Sequence, residues 1–129
     1  MQYLLLIHDD EKQWAKMPEA MRGKFMQEYG EFTQAIVKSG HFRAGSQLQP
    51  TSTATTVREK NGKTLTLDGP FAETKEQLGG YYLVECKDLD EAIAIAKRIP
   101  SVRASGSGAV IEVRPLVPMS EAARTAAAR

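Results

Sequence analysis

Asp68 is the side chain best placed for chemistry in this sequence of 129 residues. It ends a predicted strand and is followed by Gly69-Pro70, which fixes the backbone direction at the rim of a sheet. A carboxyl group partly buried at such a rim has a raised pKa and can act as a general acid or base. The alternative is structural, because aspartate at the start of a turn commonly bonds the backbone N–H groups that follow it.

Tyr29 and His8 are the two groups that could take part in proton transfer with Asp68. Tyr29 falls on the apolar stripe of a predicted helix, where its neutral hydroxyl could donate a hydrogen bond. It equally fits a core aromatic residue whose hydroxyl has one partner. His8 follows the first predicted strand and precedes two aspartates, although an ordinary surface histidine also explains it. These three residues are the catalytic candidates.

Charged side chains in loops and at strand ends are the candidates for substrate binding. Glu73 and Lys75 follow Asp68 in the same connection, where they either line a pocket mouth or form a solvated loop. Arg103 and Arg114 are the cations nearest a predicted loop and a predicted strand end, and could hold an anionic group. No metal and no cofactor are predicted, because the two histidines lack metal-site spacing and no glycine-rich phosphate loop precedes a helix.

Hydrophobic periodicity predicts the elements that would position these residues. Residues 3–7 predict a strand, Pro18 begins a helix that ends at Gly40, and the Asn-Gly pair at 61–62 predicts a hairpin. The other predictions are a short edge strand at 46–49, hairpin strands at 53–59 and 64–67, strands at 80–86 and 110–114, a helix from the Asp88 cap to Pro100, and a loop at 101–108.

The two predicted helices can cover only one face of the sheet. The first carries the stripe Met21, Phe25, Tyr29, Phe32 and Ile36, and the second carries Leu89, Ala92, Ile93, Ala96 and Ile99. The order β-α-β-β-β-α-β predicts an α+β, ferredoxin-like split βαβ sandwich with an extra central hairpin. Because residues 3–7 and 80–86 are apolar on both faces, we expect a homodimer in which a second subunit covers the open sheet face.

The composition is that of an ordinary soluble domain. Seventeen basic and sixteen acidic residues leave a charge of +1, so no nucleic-acid partner is expected. The apolar opening run is far shorter than the ~20 residues of a membrane helix, so no membrane partner is expected either. The single cysteine, Cys86, predicts a cytoplasmic location. We expect one domain at 1–117 and a flexible Ala/Arg-rich tail at 118–129.

The connection at 68–80 resembles the signature of a known family. It reads Asp-Gly-Pro-Phe-Ala-Glu-Thr-Lys-Glu-Gln-Leu-Gly-Gly, and it is similar to the motif of the DGPF branch of YCII-related proteins. The opening run at 1–7, the stretch at 49–58 and the final strand at 110–115 extend the resemblance over residues 1–117. The resemblance implies a ferredoxin-like fold that forms a dimeric α+β barrel.

The resemblance leaves two functions open. The family has no assigned reaction as a whole, although an acid–base His–Asp pair has been suggested for its shorter members. Their histidine on the first helix corresponds to Tyr29, so that histidine is absent here. One function is a small-molecule enzyme that uses Asp68 with Tyr29 or His8. The other is a non-catalytic ligand-binding or regulatory module, which the resemblance links to extracytoplasmic-function sigma factors.

Overall fold

The computed structural model describes residues 1–103 and 108–119, and within them the chain forms six strands and four helices. They are β1 (Gln2–Asp9), α1 (Glu11–Lys16), α2 (Glu19–Lys38), β2 (Phe42–Gln47), β3 (Thr55–Lys60), β4 (Lys63–Asp68), β5 (Gln77–Glu85), α3 (Leu89–Ala96), α4 (Pro100–Arg103) and β6 (Val110–Pro115). A single 3-10 turn at Thr51–Thr53 precedes β3. Most of the predicted tail at 118–129 and half of the predicted loop at 101–108 lie outside the described residues.

Four strands form one antiparallel sheet in the order β2-β5-β1-β6. Its central pair, β1 and β5, contains the two segments that are apolar on both faces in the sequence. β3 and β4 pair only with each other and form a second, two-stranded sheet. The described chain is therefore an α+β protein with antiparallel sheets, and it contains no closed barrel.

One face of the four-stranded sheet packs against the helices and forms the core. Tyr3, Leu5 and Ile7 alternate along β1 and are buried, as the period of two in a strand requires. The other core residues come from α2, β5, the strand end after it, and α3 with the turn that follows: Phe32, Ile36, Tyr82, Val84, Cys86, Ala92, Ile95, Ala96 and Ile99. The core thus fixes β1 against α2, and these two elements carry the candidate site.

The opposite face of this sheet, called the open face below, carries a patch of four large apolar side chains. Leu4 and Leu6 on β1 lie directly across from Leu83 and Tyr81 on β5. All four side chains are only partly buried. Directly paired residues in a sheet share a face, so these four side chains are contiguous.

The first long helix, α2, ends where the sequence predicts. Ser39 is its C-terminal cap and Gly40 follows with φ +84°, a conformation that favours glycine. Pro18 is the residue before the first helical turn rather than inside it. The predicted stripe is buried at Phe32 and Ile36 but exposed at Met21, and Phe25 between them contacts Trp14 of α1. No helix in the described residues is both long and apolar enough to cross a membrane.

The second predicted helix is divided into α3 and α4. Asp88 caps α3 by accepting a hydrogen bond from the Glu91 N–H at 2.9 Å, as predicted. The N–H groups of Arg98 and Ile99 bond carbonyls three residues back, which tightens the chain. Pro100 then begins α4, because proline suits a first helical position, and the loop predicted from Ser101 is wrong there. Within α3 the buried isoleucine is Ile95 and not Ile93.

The edge strand β2 begins four residues earlier than predicted, at Phe42. Its glycine allows a close approach to the core. A Cβ on Gly45 would lie 2.8 Å from the Tyr82 ring and 3.1 Å from the Tyr81 carbonyl oxygen. The sequence pattern predicts only the end of this strand, because glycine and arginine interrupt the expected alternation before Ser46.

The β3–β4 hairpin, called the arm below, extends from the sheet as a separate unit. Its turn residues Asn61 and Gly62 have φ of 53° and 76°, as the predicted tight turn requires. All of its strand residues except Thr56 are exposed, including Val57 and Leu67. An open hollow of about 370 Å³ lies along one face of the arm, but no other element of the described chain encloses it.

Candidate functional site at the end of β1

A small cavity lies where β1 ends and α1 begins. Its volume is about 30 Å³ and its described lining comes from β1, α1, α2, α4 and the residue before β6. The lining residues are Asp9, Asp10, Gln13, Trp14, Met17, Phe25, Ser101 and Ala109. The cavity therefore combines two carboxyl side chains, one amide and an aromatic wall.

Asp9 reaches this cavity because of an irregularity in the sheet and a glycine on the neighbouring strand. The pairing of β1 with β5 shifts register between Ile7 and His8, just before the strand ends. Gly79 then lies against the Asp9 carboxyl group, and a Cβ on Gly79 would be 3.0 Å from Asp9 Oδ1. A larger residue at this position would displace the carboxyl group, so the glycine gives Asp9 its room.

The Asp9 carboxyl group is partly buried and forms no ion pair within the described residues. Burial raises its pKa above the usual value, and the neighbouring carboxylates of Glu11 and Asp10 raise it further. His8 has the opposite, smaller effect. Within the described residues the Asp9 side chain forms no hydrogen bond, whereas its backbone pairs with Gln77 of β5. A carboxyl group in this state can exchange a proton with a ligand more readily than an ordinary surface aspartate.

Tyr29 lies behind the cavity wall, on α2. Its hydroxyl group is hydrogen-bonded to the Ser101 side chain, and Ser101 itself is buried and lines the cavity. Burial raises the pKa of Tyr29 to about 12, although the hydrogen bond to Ser101 acts in the other direction. The phenol is therefore neutral at physiological pH. The Asp9 charge is close enough to contribute to this shift.

Aromatic side chains form one wall of the site. The Trp14 and Phe25 rings meet edge to face with centroids 6.0 Å apart and planes at 89°. Phe25 stacks on Tyr29 with the same centroid separation at 29°. These contacts hold α1 against α2, because Trp14 belongs to the short helix and the other two rings to the long one.

Polar contacts fix α1 at the end of the strand. Asp10 caps the helix by accepting a hydrogen bond from the Lys12 N–H at 2.9 Å. Both carboxylate oxygens of Glu11 accept hydrogen bonds from Thr51, from its N–H at 2.7 Å and its hydroxyl at 2.9 Å. The Glu11 N–H donates to the Gln77 side chain at 3.2 Å. The motif at 68–80 thus meets the site through its last residues, Gln77 and Gly79.

The structure places the sequence-predicted residues in several different locations. Asp68 is exposed at the end of β4, pairs with Thr55 across the arm, and does not line the cavity. Its side chain makes no hydrogen bond within the described residues, so neither the buried carboxylate nor the turn cap expected from the sequence is observed. Glu73 and Lys75 are exposed in the connection that follows.

The remaining candidates divide between the site and the open face. Tyr29 is part of the site through Ser101. His8 and Arg114 lie on the open-face side of the sheet, in register with Val110 and Leu4. The side chain of Arg103 lies outside the described residues. The structure thus brings Tyr29 together with Asp9, a residue that is not among the candidates taken from the sequence.

Asp9 has a visible signal in the sequence. It is the second residue of the polar run His8-Asp9-Asp10, which follows the apolar part of the first strand. Periodicity also places Asp9 on the same face as the buried residues of β1, since it continues the series Tyr3, Leu5 and Ile7. A carboxyl group at the inward end of a buried strand is a stronger indication of a site than one after a solvated hairpin.

The chain is an α+β protein with antiparallel sheets and a half-buried aspartate at the end of its first strand. Comparison with known families then makes the assignment: the model of the YCII-related domain matches residues 1–120, and this chain belongs to that family. It is similar to an uncharacterised protein of Rhizobium meliloti (strain 1021). The two are 37% identical over 116 residues, which cover 90% of this chain and 92% of the relative.

Proposed function

We propose that this protein is a small-molecule enzyme that transfers a proton in the cavity beside Asp9. Asp9 is the acid–base group, and the Ser101–Tyr29 pair supplies the hydrogen-bonding wall next to it. The observation that carries the proposal is the position of the Asp9 carboxyl group, which lines a cavity, has a raised pKa and lacks a cationic partner in the described residues. General acids and bases work best when their pKa lies near the operating pH.

Asp68 is the carboxylate favoured by the sequence, and its catalytic role stays a prediction. It is exposed on the arm and does not line the cavity. The Asp9 site has both a cavity and desolvation, so the geometry favours Asp9 over Asp68. Glu73, Lys75, Arg103 and Arg114 remain candidates for ligand contacts only.

Hydrogen–deuterium exchange into substrates tests this function even while the substrate is unidentified. The protein is incubated in D₂O with pooled small metabolites, and mass spectrometry detects molecules that gain deuterium at carbon. We expect enzyme-dependent incorporation, reduced about 10²- to 10⁴-fold by Asp9→Asn, the range for loss of a general acid or base. Asp68→Asn, made in parallel, tests the residue that the sequence favoured.

The two variants separate the competing sites. Loss of incorporation in Asp68→Asn with normal activity in Asp9→Asn would move the chemistry to the arm. Incorporation that neither substitution changes would exclude both carboxylates as the acid–base group. If no metabolite exchanges but one co-purifies with the protein in native mass spectrometry, the alternative of a non-catalytic ligand-binding or regulatory module, including a link to sigma-factor signalling, is favoured.

We further infer a ferredoxin-like topology and a homodimer in which two open faces meet as a dimeric α+β barrel. The strand order β2-β5-β1-β6, with helices after the first and third strands of the sheet, supports the topology. The apolar patch of Leu4, Leu6, Tyr81 and Leu83 supports the dimer, since contiguous apolar patches of this kind are uncommon on monomers.

Light scattering after size-exclusion chromatography tests the dimer. Leu6→Glu places a charge in the centre of the patch and should give a monomer. Val57→Glu, an equally apolar but exposed position on the arm, should leave the dimer unchanged. A wild-type protein that runs as a clean monomer at micromolar concentration would refute the proposed assembly.

Membership of the DGPF branch and a cytoplasmic location complete the proposal. The branch rests on the Asp-Gly-Pro-Phe run that begins at Asp68. The location rests on the single cysteine, Cys86, which is buried and has a pKa raised by burial, as expected of a structural thiol rather than a reactive one. Fractionation of cells that express the native gene would test the location directly.

A further inference from the structure

We propose that the cavity beside Asp9 binds the primary ammonium group of a small amine, with Asp9 as its counter-ion and Trp14 and Phe25 as its apolar wall. This inference rests on the proposed function, because it names the chemical class of the ligand for the same site. Charge, wall chemistry and volume each support it independently.

The charge of the site favours a cation. Among the described residues that line the cavity, two carry carboxyl groups and none is lysine, arginine or histidine. Glu11 adds a third negative charge close to Asp9. One oxygen of Asp10 is occupied by the Lys12 N–H, so Asp9 is the carboxylate left to face a ligand. An anionic ligand would meet repulsion here, whereas a cation would relieve the cost of burying the Asp9 charge.

The wall chemistry favours an ammonium group over a hydrated metal ion. Trp14 and Phe25 present aromatic surface to the cavity, and a cation within about 6 Å of such a ring is attracted by its quadrupole. Met17 adds a polarisable apolar group. Gln13 offers an amide oxygen that can accept a second ammonium hydrogen. An alkylammonium ion uses both kinds of surface, because its nitrogen needs acceptors and its carbon needs apolar contact.

The volume selects a primary amine. One buried water requires roughly 10–15 Å³ of cavity volume. The cavity beside Asp9, at about 30 Å³, therefore holds the equivalent of about two waters. An ammonium nitrogen and the carbon attached to it fill that space. A quaternary head group, with four carbons around the nitrogen, does not. The rest of the ligand must lie outside the cavity, across its mouth.

Chemical-shift titration of the ¹⁵N-labelled full-length protein tests this inference. The probe is n-butylammonium chloride, compared with n-butanol, sodium butyrate and tetramethylammonium chloride at the same ionic strength. We expect saturable shifts at Trp14 and its neighbours with n-butylammonium only, at millimolar affinity. Asp9→Asn should weaken binding at least tenfold, and Trp14→Leu should weaken it severalfold. Asp90→Asn, an exposed aspartate on α3, is the matched control and should bind as the wild type does.

The outcomes distinguish the ligand class from the proposed function. Saturable binding of butyrate or butanol that depends on Asp9 would overturn the amine assignment and leave the acid–base site intact. No saturable shift at 50 mM n-butylammonium, or equal binding by Asp9→Asn with a preserved spectrum, would also overturn it. Binding of n-butylammonium without Asp9-dependent deuterium exchange would support the amine site and count against catalysis.

Discussion

Replacing Asp9 by asparagine should make the folded protein more stable at neutral pH, although it removes the carboxylate on which the proposed function depends. Burial raises the pKa of Asp9 in the folded protein, so the folded state holds this proton more tightly than the unfolded state does. The contribution of Asp9 to stability is therefore greatest at pH values below its unfolded pKa. It is lost as the pH rises through the folded pKa, because the folded state then carries a desolvated charge.

The expected gain follows from the partial burial of the side chain. Asparagine keeps the shape without the charge, and relief of a half-buried, water-accessible carboxylate is worth about 0.5–1.5 kcal/mol. At about 2.1 cal/mol/K of unfolding entropy per residue, that gain raises Tm by roughly 2–6 °C for a chain of 129 residues. The gain is small, but it has the sign opposite to that of most point substitutions.

Urea denaturation of wild type and Asp9→Asn from pH 3 to pH 8 measures this effect. The difference in unfolding free energy should be near zero at pH 3, grow through the acid range and level off by pH 7. Asp68→Asn is the control, because its exposed side chain should change stability by less than about 0.5 kcal/mol at every pH. An Asp9→Asn variant that is less stable than wild type at pH 7 would refute the reasoning, since the carboxylate would then stabilise the fold.

Three further predictions concern packing and ionisation. Gly45→Ala should lower the unfolding free energy by about 1–3 kcal/mol, because its Cβ would lie 2.8 Å from the Tyr82 ring. Gly30→Ala on α2 meets nothing within 4 Å and should raise the unfolding free energy by about 0.5–1 kcal/mol. Equal effects of the two substitutions in urea denaturation would contradict this prediction. Ile36→Ala removes a fully buried side chain and should cost about 2–5 kcal/mol, and a loss below 1 kcal/mol would show that the core collapses around it. In an absorbance titration at 295 nm, Tyr29 should ionise only near pH 12. Tyr29→Phe should remove that phase and leave the other tyrosine phases. A Tyr29→Phe titration curve identical to that of the wild type would contradict the prediction.

Local sequence patterns are sufficient to predict the main elements of the fold. The apolar run at 3–7, the Pro18-to-Gly40 stripe and the Asn-Gly pair each encode their structure within a few residues of chain. The predictions of β1, α2 and the arm are correct for that reason. The end of α3 at Ala96 is not predictable, because the apolar stripe continues to Ile99 and the break is a slight tightening of backbone geometry.

The site is harder to predict because it depends on contacts between distant parts of the chain. The Asp9 carboxyl group has room because of Gly79, seventy residues away, and the pKa of Tyr29 is raised because the folded chain buries its hydroxyl group. Asp68 illustrates the converse. The β-branched residues before and after Asn61-Gly62 predict a hairpin, but they do not show whether it pairs with the main sheet. In the structure the hairpin forms its own two-stranded sheet, and Asp68 at its end is exposed.

Because the arm forms a sheet of its own, it can unfold locally while the four-stranded sheet stays folded. The strand-to-strand hydrogen bonds of the arm are formed between β3 and β4 alone within the described residues. A two-stranded hairpin without a packed face is only marginally stable in water. The amide hydrogens of the arm should therefore exchange with solvent through a local opening that costs far less than global unfolding, while those of β1 and β5 exchange only when the core is lost. A protease should accordingly cleave near Asn61 in the native state and leave the four-stranded sheet intact.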